Sequence, residues 1–491
     1  MTDDNRDIDT PPAKRTQVPR ACQRCKTLRR GCNEYRPCRR CVDAGLGDRC
    51  IGQSGAPSIL QHAHYSVPGL MTTRNSDGPV DALNKLTQLV PNQVIDHCVE
   101  RFFARLYPTI PILTRDYVLH LRSASSSSSP EWRLEAYSVM VAMCAQVLLQ
   151  TEEPENLLSQ GIIAENNATY GSMIVDQAVS VHQSTPRTMK PTLNQCLLAF
   201  FLYACQARLA HHSQTFLFLR EATTLFCLLR LDDMDISAKA LAHRLFWVLV
   251  VSERSHAIRY RRPITLQITD ETPELDMNDP SLSGFWSLSA LFRPIDTSFV
   301  ALLNQERFAI TPPLSSLDFV ETAINTALKP DLQLHETQKA NLRITQLWLR
   351  MIVWKLRLRL GHLTENAHQH SLTYQYPLVV AKDLTLSTRD LSIDSIRIHG
   401  IGVTEKLYDI VSAVVDVLAR VPVTPSSPQG LAMGTSPEDD LLYIRNLITK
   451  LPGGASTYEP LLEKHIQQAL PSPGPSVAHS SPPISRVLSN S

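Results

Sequence analysis

The chain has 491 residues, of which 43% are hydrophobic, and its formal net charge is only +1. That length excludes a single small module and suits a large core plus an accessory domain. The charge is unevenly placed: residues 11–50 carry eleven Lys/Arg against three Asp/Glu, an asymmetry that points to an anionic partner for this part, most simply nucleic acid.

In chain order, residues 1–19 are polar with Pro11, Pro12 and Pro19, and are expected to be disordered. Their polar, acidic start has no secretory signal, which predicts a reducing compartment and favours metal ligation over disulfides for the cysteines that follow. Six of the eleven cysteines lie in the next module, residues 20–51, with the spacing Cys22-x2-Cys25-x6-Cys32-x5-Cys38-x2-Cys41-x8-Cys50. Zinc takes four thiolates in a tetrahedron at about 2.3 Å. Six cysteines therefore serve two zincs only if two thiolates bridge; the alternative is one four-thiolate zinc with two spare thiols. Six thiolates and two Zn²⁺ leave an excess of two negative charges, which neighbouring Arg and Lys would stabilise. No open coordination position remains for water, so the site reads as structural rather than catalytic.

Lys26, Arg29 and Arg30 follow the second cysteine at i, i+3, i+4 spacing. On a short helix starting at Cys25 they share one face, with Gly31 available as its left-handed cap. Such a face suits the major groove, where Arg or Lys can bond guanine O6 and N7. Arg24, Arg36, Arg39 and Arg40 are the candidates for phosphate contacts. The bland alternative is that these charges only solvate a small zinc knot. Lys14-Arg15 and the Lys26–Arg30 cluster also form a split basic patch of the kind used in nuclear import.

A flexible linker rich in Gly, Ser, Pro and Asn is expected over 52–91, and a large all-helical domain over 92–470. Apolar spacing predicts helices over Asn92–Leu106, Glu131–Gln150, Leu193–Leu209, Phe216–Leu231, Leu241–Tyr260, Arg343–Leu360 and Thr404–Val421. The third and fourth read as an antiparallel pair joined by Ala210–Thr215. Asp270–Ser283 and Pro422–Asp440 are expected to be loops, and the Pro/Ser-rich residues 471–491 a disordered tail. Cys98, Cys144, Cys196, Cys205 and Cys227 sit in apolar stretches and read as small core residues. The apolar run Leu245–Val251 is too short to cross a bilayer, so no membrane is expected. Leu83, Leu86 and Val90 fit a coiled-coil seam for barely one and a half heptads, too short to hold a dimer alone; a monomer and a homodimer made by the helical domain both stay open.

The segment Cys22–Cys50 resembles the binuclear zinc-cluster domain of fungal transcription regulators, in the spacing of all six cysteines and in Pro37. The resemblance implies two zincs per chain, bridged by Cys22 and Cys38, with Cys25 and Cys32 completing one site and Cys41 and Cys50 the other. It also implies that Lys26, Arg29 and Arg30 read CGG-type triplets, although Leu28 and Gly31 stand where many relatives have basic residues. A second stretch, "HRLFWVLVVSERSHAIRYRRPITL" (His243–Leu266), resembles the helical regulatory domain of the same family; it keeps Arg244, Trp247, Glu253, Arg254, Arg262 and Pro263, with Arg261 in place of a glycine. Trp247 is expected in the core and Glu253–Arg254 as a satisfied buried or rim pair. "GFWSLSALFRPIDTSFVALL" and "HGIGVTEKLYDIVSAVVDVLARVP" resemble the branch that includes sugar-utilisation regulators.

The expectation is therefore a mainly α protein that is nuclear, zinc-dependent and not an enzyme. It binds double-stranded DNA, acts on RNA polymerase II genes with the transcription machinery or co-regulators, and serves a catabolic or secondary-metabolite gene set. The rivals are a zinc-bearing interaction scaffold without sequence-specific DNA binding, and an enzyme with its site in the helical domain. For the latter the sequence offers no constellation: Gly400-Ile-Gly402 has Glu405 in place of the third glycine of a dinucleotide fingerprint, and His211-His212 and His368-Gln-His370 read as surface histidines.

Overall fold

The structure, a computed structural model, describes residues 22–28, 40, 41 and 44, and residues 79–470 apart from 124–128, 151–155, 186–189, 275–278, 307–313, 330–331, 366 and 422–435. The chain divides into two units, residues 1–75 and 76–491. In the first, the described residues include one short helix, α1 (Gln23–Thr27), and Arg40 and Cys41 are helical as well. Among the described residues of both units there is no strand, in agreement with the mainly helical reading.

The second unit begins with α2 (Pro79–Leu89), α3 (Asn92–Arg101, prolonged by a π-helical turn, Phe102–Leu106), α4 (Arg115–Ser123) and α5 (Pro130–Gln150). The short α6 (Asn156–Ser159) leads to α7 (Asn167–Ser184), α8 (Leu193–Arg208), α9 (His212–Leu228) and α10 (Ile236–Tyr260). Then come α11 (Ser283–Phe292), α12 (Thr297–Asn304), α13 (Leu314–Thr326) and α14 (Glu336–Leu360). The series ends with α15 (Tyr376–Thr388), α16 (Ile393–Arg397), α17 (Ile401–Arg420), α18 (Pro437–Thr449) and α19 (Glu459–Ala469).

Caps set many of these boundaries. The side chains of Asn166, Thr192, Asp235 and Asp296 each accept a backbone N–H in the first turn of the helix they precede. The long α14 opens on a capping box between His335 and Gln338 and closes on Gly361 at φ 73°.

Two apolar cores result. The first gathers the buried faces of α2 to α9 and the N-terminal two-thirds of α10; α5 and α8 are almost wholly buried within it. The second is built around Trp348 of α14 with α11 to α19. Helix α10 belongs to both: Leu241–Val250 lie in the first core, Ala257 and Ile258 in the second.

Three expectations need adjusting. Leu86 and Val90, proposed for a coiled-coil seam, are fully buried in the first core with Leu83 packed beside them, so the seam faces this chain's own α5 and not a second copy. Helix α2 thus lies inside the stretch read as linker; residues 52–78 lie outside the described residues. Cys98, Cys144, Cys196 and Cys205 are core residues as expected, but Cys227 is exposed, because it falls on the outward side of α9 beside buried Phe226. Finally, Glu253 and Arg254 are both buried but bind different partners. Glu253 takes Arg220 and the N–H groups of Thr265 and Leu266, whereas Arg254 donates to the carbonyls of Phe292 and Arg293. Consecutive helical residues point about 100° apart, so two such neighbours cannot easily share one partner. Trp247 is buried as expected, its indole N–H donating to the Pro273 carbonyl at 2.8 Å.

Candidate metal centre and central cavity

Cys22 precedes α1 and acts as its cap: its Sγ accepts the N–H of Cys25 at 3.4 Å, where a serine or aspartate oxygen would commonly sit. This explains why the helix starts two residues earlier than the basic spacing alone suggests. Its register places Cys25 one turn on, and Cys22, Cys25 and Cys41 come together with their sulfurs all within 4.8 Å of one another. All three are buried. The Cys22 and Cys41 sulfurs are 3.7 Å apart, which matches the edge of a tetrahedron of thiolates at about 2.3 Å from zinc, about 3.8 Å. The donor set therefore fits a metal ion. Arg24 points a guanidinium N–H at Cys41 Sγ, 3.8 Å away, and so stands beside the charge a thiolate would carry.

The Cys22 sulfur thus meets the Cys25 N–H and lies 3.7 Å from the Cys41 sulfur. Arg40 is exposed. Cys32, Cys38 and Cys50, and Arg29, Arg30, Arg36 and Arg39, lie outside the described residues, as does the side chain of Lys26, whose backbone is in α1. Leu28, at the end of α1, is 48% exposed.

The second unit holds a cavity of ≈ 230 Å³ lined from both cores, by α3 with its π-helical turn, α5, α8, α9, α10, α11, α14 and α17. Its walls carry charge that sequence reading did not single out. Arg259 of α10 pairs with Glu405 of α17, and Tyr260 and Tyr458 donate to the same carboxylate at 2.9 and 3.0 Å. Gly402 makes room for this pair: a Cβ there would lie 3.1 Å from the Arg259 guanidinium. Lys406, one residue beyond Glu405, is 8% exposed. Burial pushes its amine down to about 7, with Arg259 adding to the fall and Glu405 opposing it. His256 stacks on Phe216 at 5.6 Å, and burial, with Arg259, Arg262 and His212 nearby, holds it down to about 4. His399 is likewise lowered to about 4 by burial. A signal for Lys406 was present in the sequence: with Val403 and Ile410 it falls on the apolar stripe of α17, where a lysine is out of place.

No protein-family model matches the chain. Among curated proteins, a maltose fermentation regulatory protein of Saccharomyces cerevisiae is 22% identical over 423 residues, spanning 83% of this chain and 85% of that protein. A probable sucrose utilization protein of Candida albicans is 22% identical, spanning 82% and 80%. A respiratory transcription factor of S. cerevisiae is 21% identical, spanning 67% and 70%. The chain is thus similar over most of its length to yeast regulatory proteins of maltose fermentation and to a respiratory transcription factor. These relatives are regulators of transcription and not enzymes.

Proposed function

We propose that the chain is a nuclear, zinc-dependent, sequence-specific DNA-binding regulator of RNA polymerase II genes. The observation that carries this reading is the group of three buried thiols, their sulfurs within 4.8 Å of one another, set in the most basic stretch of the chain. Within it, all six cysteines hold two zincs, Cys22 and Cys38 bridging. Lys26, Arg29 and Arg30 read base edges of CGG-type triplets, and Arg24, Arg36, Arg39 and Arg40 bind phosphates. Residues 20–51 form the DNA-binding module, 92–470 the regulatory domain, and α2 docks the end of the intervening segment onto that domain. The names of the relatives support carbohydrate-utilisation genes as targets.

The test pairs metal counting with DNA titration. Native mass spectrometry of the full chain is expected to find two zincs, and a single zinc overturns the bridged arrangement. On sites selected from random DNA, Arg29→Ala is expected to cost about 1–3 kcal/mol and relax one base position, while Arg40→Ala weakens all DNA alike and lowers the salt dependence by about one ion. Retention of zinc with no salt-dependent DNA binding would favour the scaffold reading.

A further inference from the structure

Three basic side chains meet near the C-terminal end of α12, and among the described residues none of them has a carboxylate partner. Arg261, just past α10, donates to the Leu303 carbonyl at 2.7 Å. Arg359 of α14 donates to the same oxygen at 3.1 Å and to the Leu302 carbonyl as well. Since both nitrogens touch one oxygen, the two guanidiniums can be no further apart there than those two bonds laid end to end. Lys355, one turn back along α14, donates to the Asp409 carbonyl at 3.0 Å. All of these acceptors are main-chain oxygens. Both α14 side chains feel the Arg261 charge. Burial and then Arg261 lower the Arg359 value; burial lowers Lys355, with Asp409 and Asp416 opposing the fall and Arg261 adding to it. Those two acids are engaged elsewhere, Asp409 by the Trp348 indole N–H at 2.9 Å, Asp416 by Arg420 and His465 at 3.0 and 3.2 Å. Glu306, two residues beyond α12, is exposed and bonds to none of the three among the described residues. A helix end carries about half a negative charge, so capping α12 accounts for one cation here and not for three.

The arrangement defines what it would hold. Arg261 and Arg359 are exposed, and Lys355 is half-buried. A guanidinium has five N–H donors; Arg261 spends one on a carbonyl and Arg359 two, which leaves donors on both for an outside anion. A lone carboxylate fills a single arginine fork, whereas two adjacent forks and an ammonium match the three oxygens and nearly double charge of a phosphoryl group. Leu358, 44% exposed, lies beside them and shares a helix face with Lys355 at i, i+3. Arg262 is not part of the group, since its guanidinium lies over the Phe216 ring at 4.9 Å. We infer that Arg261, Arg359 and Lys355 form a surface site for the phosphoryl group of a phosphorylated serine or threonine on a partner protein, with Leu358 receiving an apolar neighbour of that residue. A small free metabolite is bound in concave pockets, and these arginines stand in the open. A long polyanion is not drawn here either, because residues 11–50 alone carry more positive charge than the whole chain, and the remainder is net negative. The site does not depend on DNA binding by the N-terminal module.

The experiment uses the full zinc-loaded chain and a short labelled peptide with one phosphoserine between two leucines. Because residues 20–51 are basic too, fluorescence polarisation gives the affinity and hydrogen exchange gives the place. The phosphopeptide is expected to bind saturably and to slow exchange at the ends of α12 and α14, and its unphosphorylated form is not. Arg359→Gln is expected to bind about tenfold more weakly and to lose that local protection. Arg359→Lys keeps the charge without the fork and should fall between the two. Should Arg359→Gln unfold early through the loss of its bonds to α12, Lys355→Met tests the same site with both arginines in place, and weaker binding is again expected. Arg389→Gln, at an exposed arginine of α15 outside the group, should change nothing. Protection confined to residues 20–51, or an equal loss in Arg389→Gln, would overturn the proposal. So would equal binding of a peptide with aspartate in place of phosphoserine, competition by inorganic phosphate at the peptide's own concentration, or the same protection produced by a DNA duplex.

Discussion

Glu253 accepts the main-chain N–H of Leu266 at 2.9 Å, and so pins the chain leaving α10 back against that helix. The same carboxylate takes the Thr265 N–H at 2.8 Å and Arg220 at 2.9 Å. Glu253→Ala would strand two main-chain donors and one guanidinium at a buried site, and a loss of about 3–5 kcal/mol is expected. Glu253→Gln keeps one acceptor oxygen and should lose less. Denaturant titration of the two variants checks the order, and equal losses would show that the charge and not the backbone capture matters.

Arg261 ends α10 at φ 55°, a left-handed conformation that glycine adopts without cost. Its guanidinium recovers part of that cost by donating to the Leu303 carbonyl at 2.7 Å. Arg261→Ala keeps the strained backbone and loses the bond; Arg261→Gly loses the bond but relieves the backbone. The glycine variant is therefore expected to be the more stable of the two by about 1 kcal/mol. Thermal denaturation of the pair measures it, and the reverse order would mean that the backbone here is unstrained.

The amine of Lys406 has a folded value of about 7, against about 10.4 when unfolded. Below about pH 7 both states hold the proton and the full burial penalty stands; between about 7 and about 10 the unfolded chain keeps a proton that the folded chain has released. Stability contributed through this group therefore rises with pH across that window. Lys406→Met should be more stable than the parent near about pH 6 and lack this rise. A parent whose stability is flat from neutral to alkaline pH would contradict the assignment.

His256 and His399 titrate in the opposite corner. Both are held to about 4 in the fold, against about 6.5 unfolded. As pH falls through that interval the unfolded chain gains protons that the fold refuses, and stability is lost. His256→Phe retains a flat ring against Phe216 and should make the decline shallower by about one proton. Chemical denaturation at a series of acidic pH values gives the slope; an unchanged slope would place the uptake elsewhere.

How far the sequence carries the reader depends on whether a feature is local. Metal ligation requires cysteines at short fixed intervals, so Cys22, Cys25 and Cys41 could be grouped before any fold was known. Long apolar helices such as α5, α8 and α14 were equally plain. Helix α15 was not, because Val379, Val380, Thr385 and Thr388 give it the β-branched look of a strand. The cavity was hidden for another reason: Gln146, Arg259 and Lys406 are remote in sequence, and only packing of the two cores brings them together. The Gly400-Ile-Gly402 run likewise acquires its meaning from a distant neighbour, since Gly402 clears space for Arg259.

Helix α10 runs for 25 residues, about 37 Å of rigid rod, with its first part embedded in one core and its last turn in the other. A rod clamped at both ends behaves as a shared axle. Neither core can turn against the other without bending it, and neither can melt without pulling an anchored segment out of its neighbour. The two cores should consequently lose structure together, and calorimetry of the helical unit should record one heat-absorption peak where its division into two cores would suggest a pair.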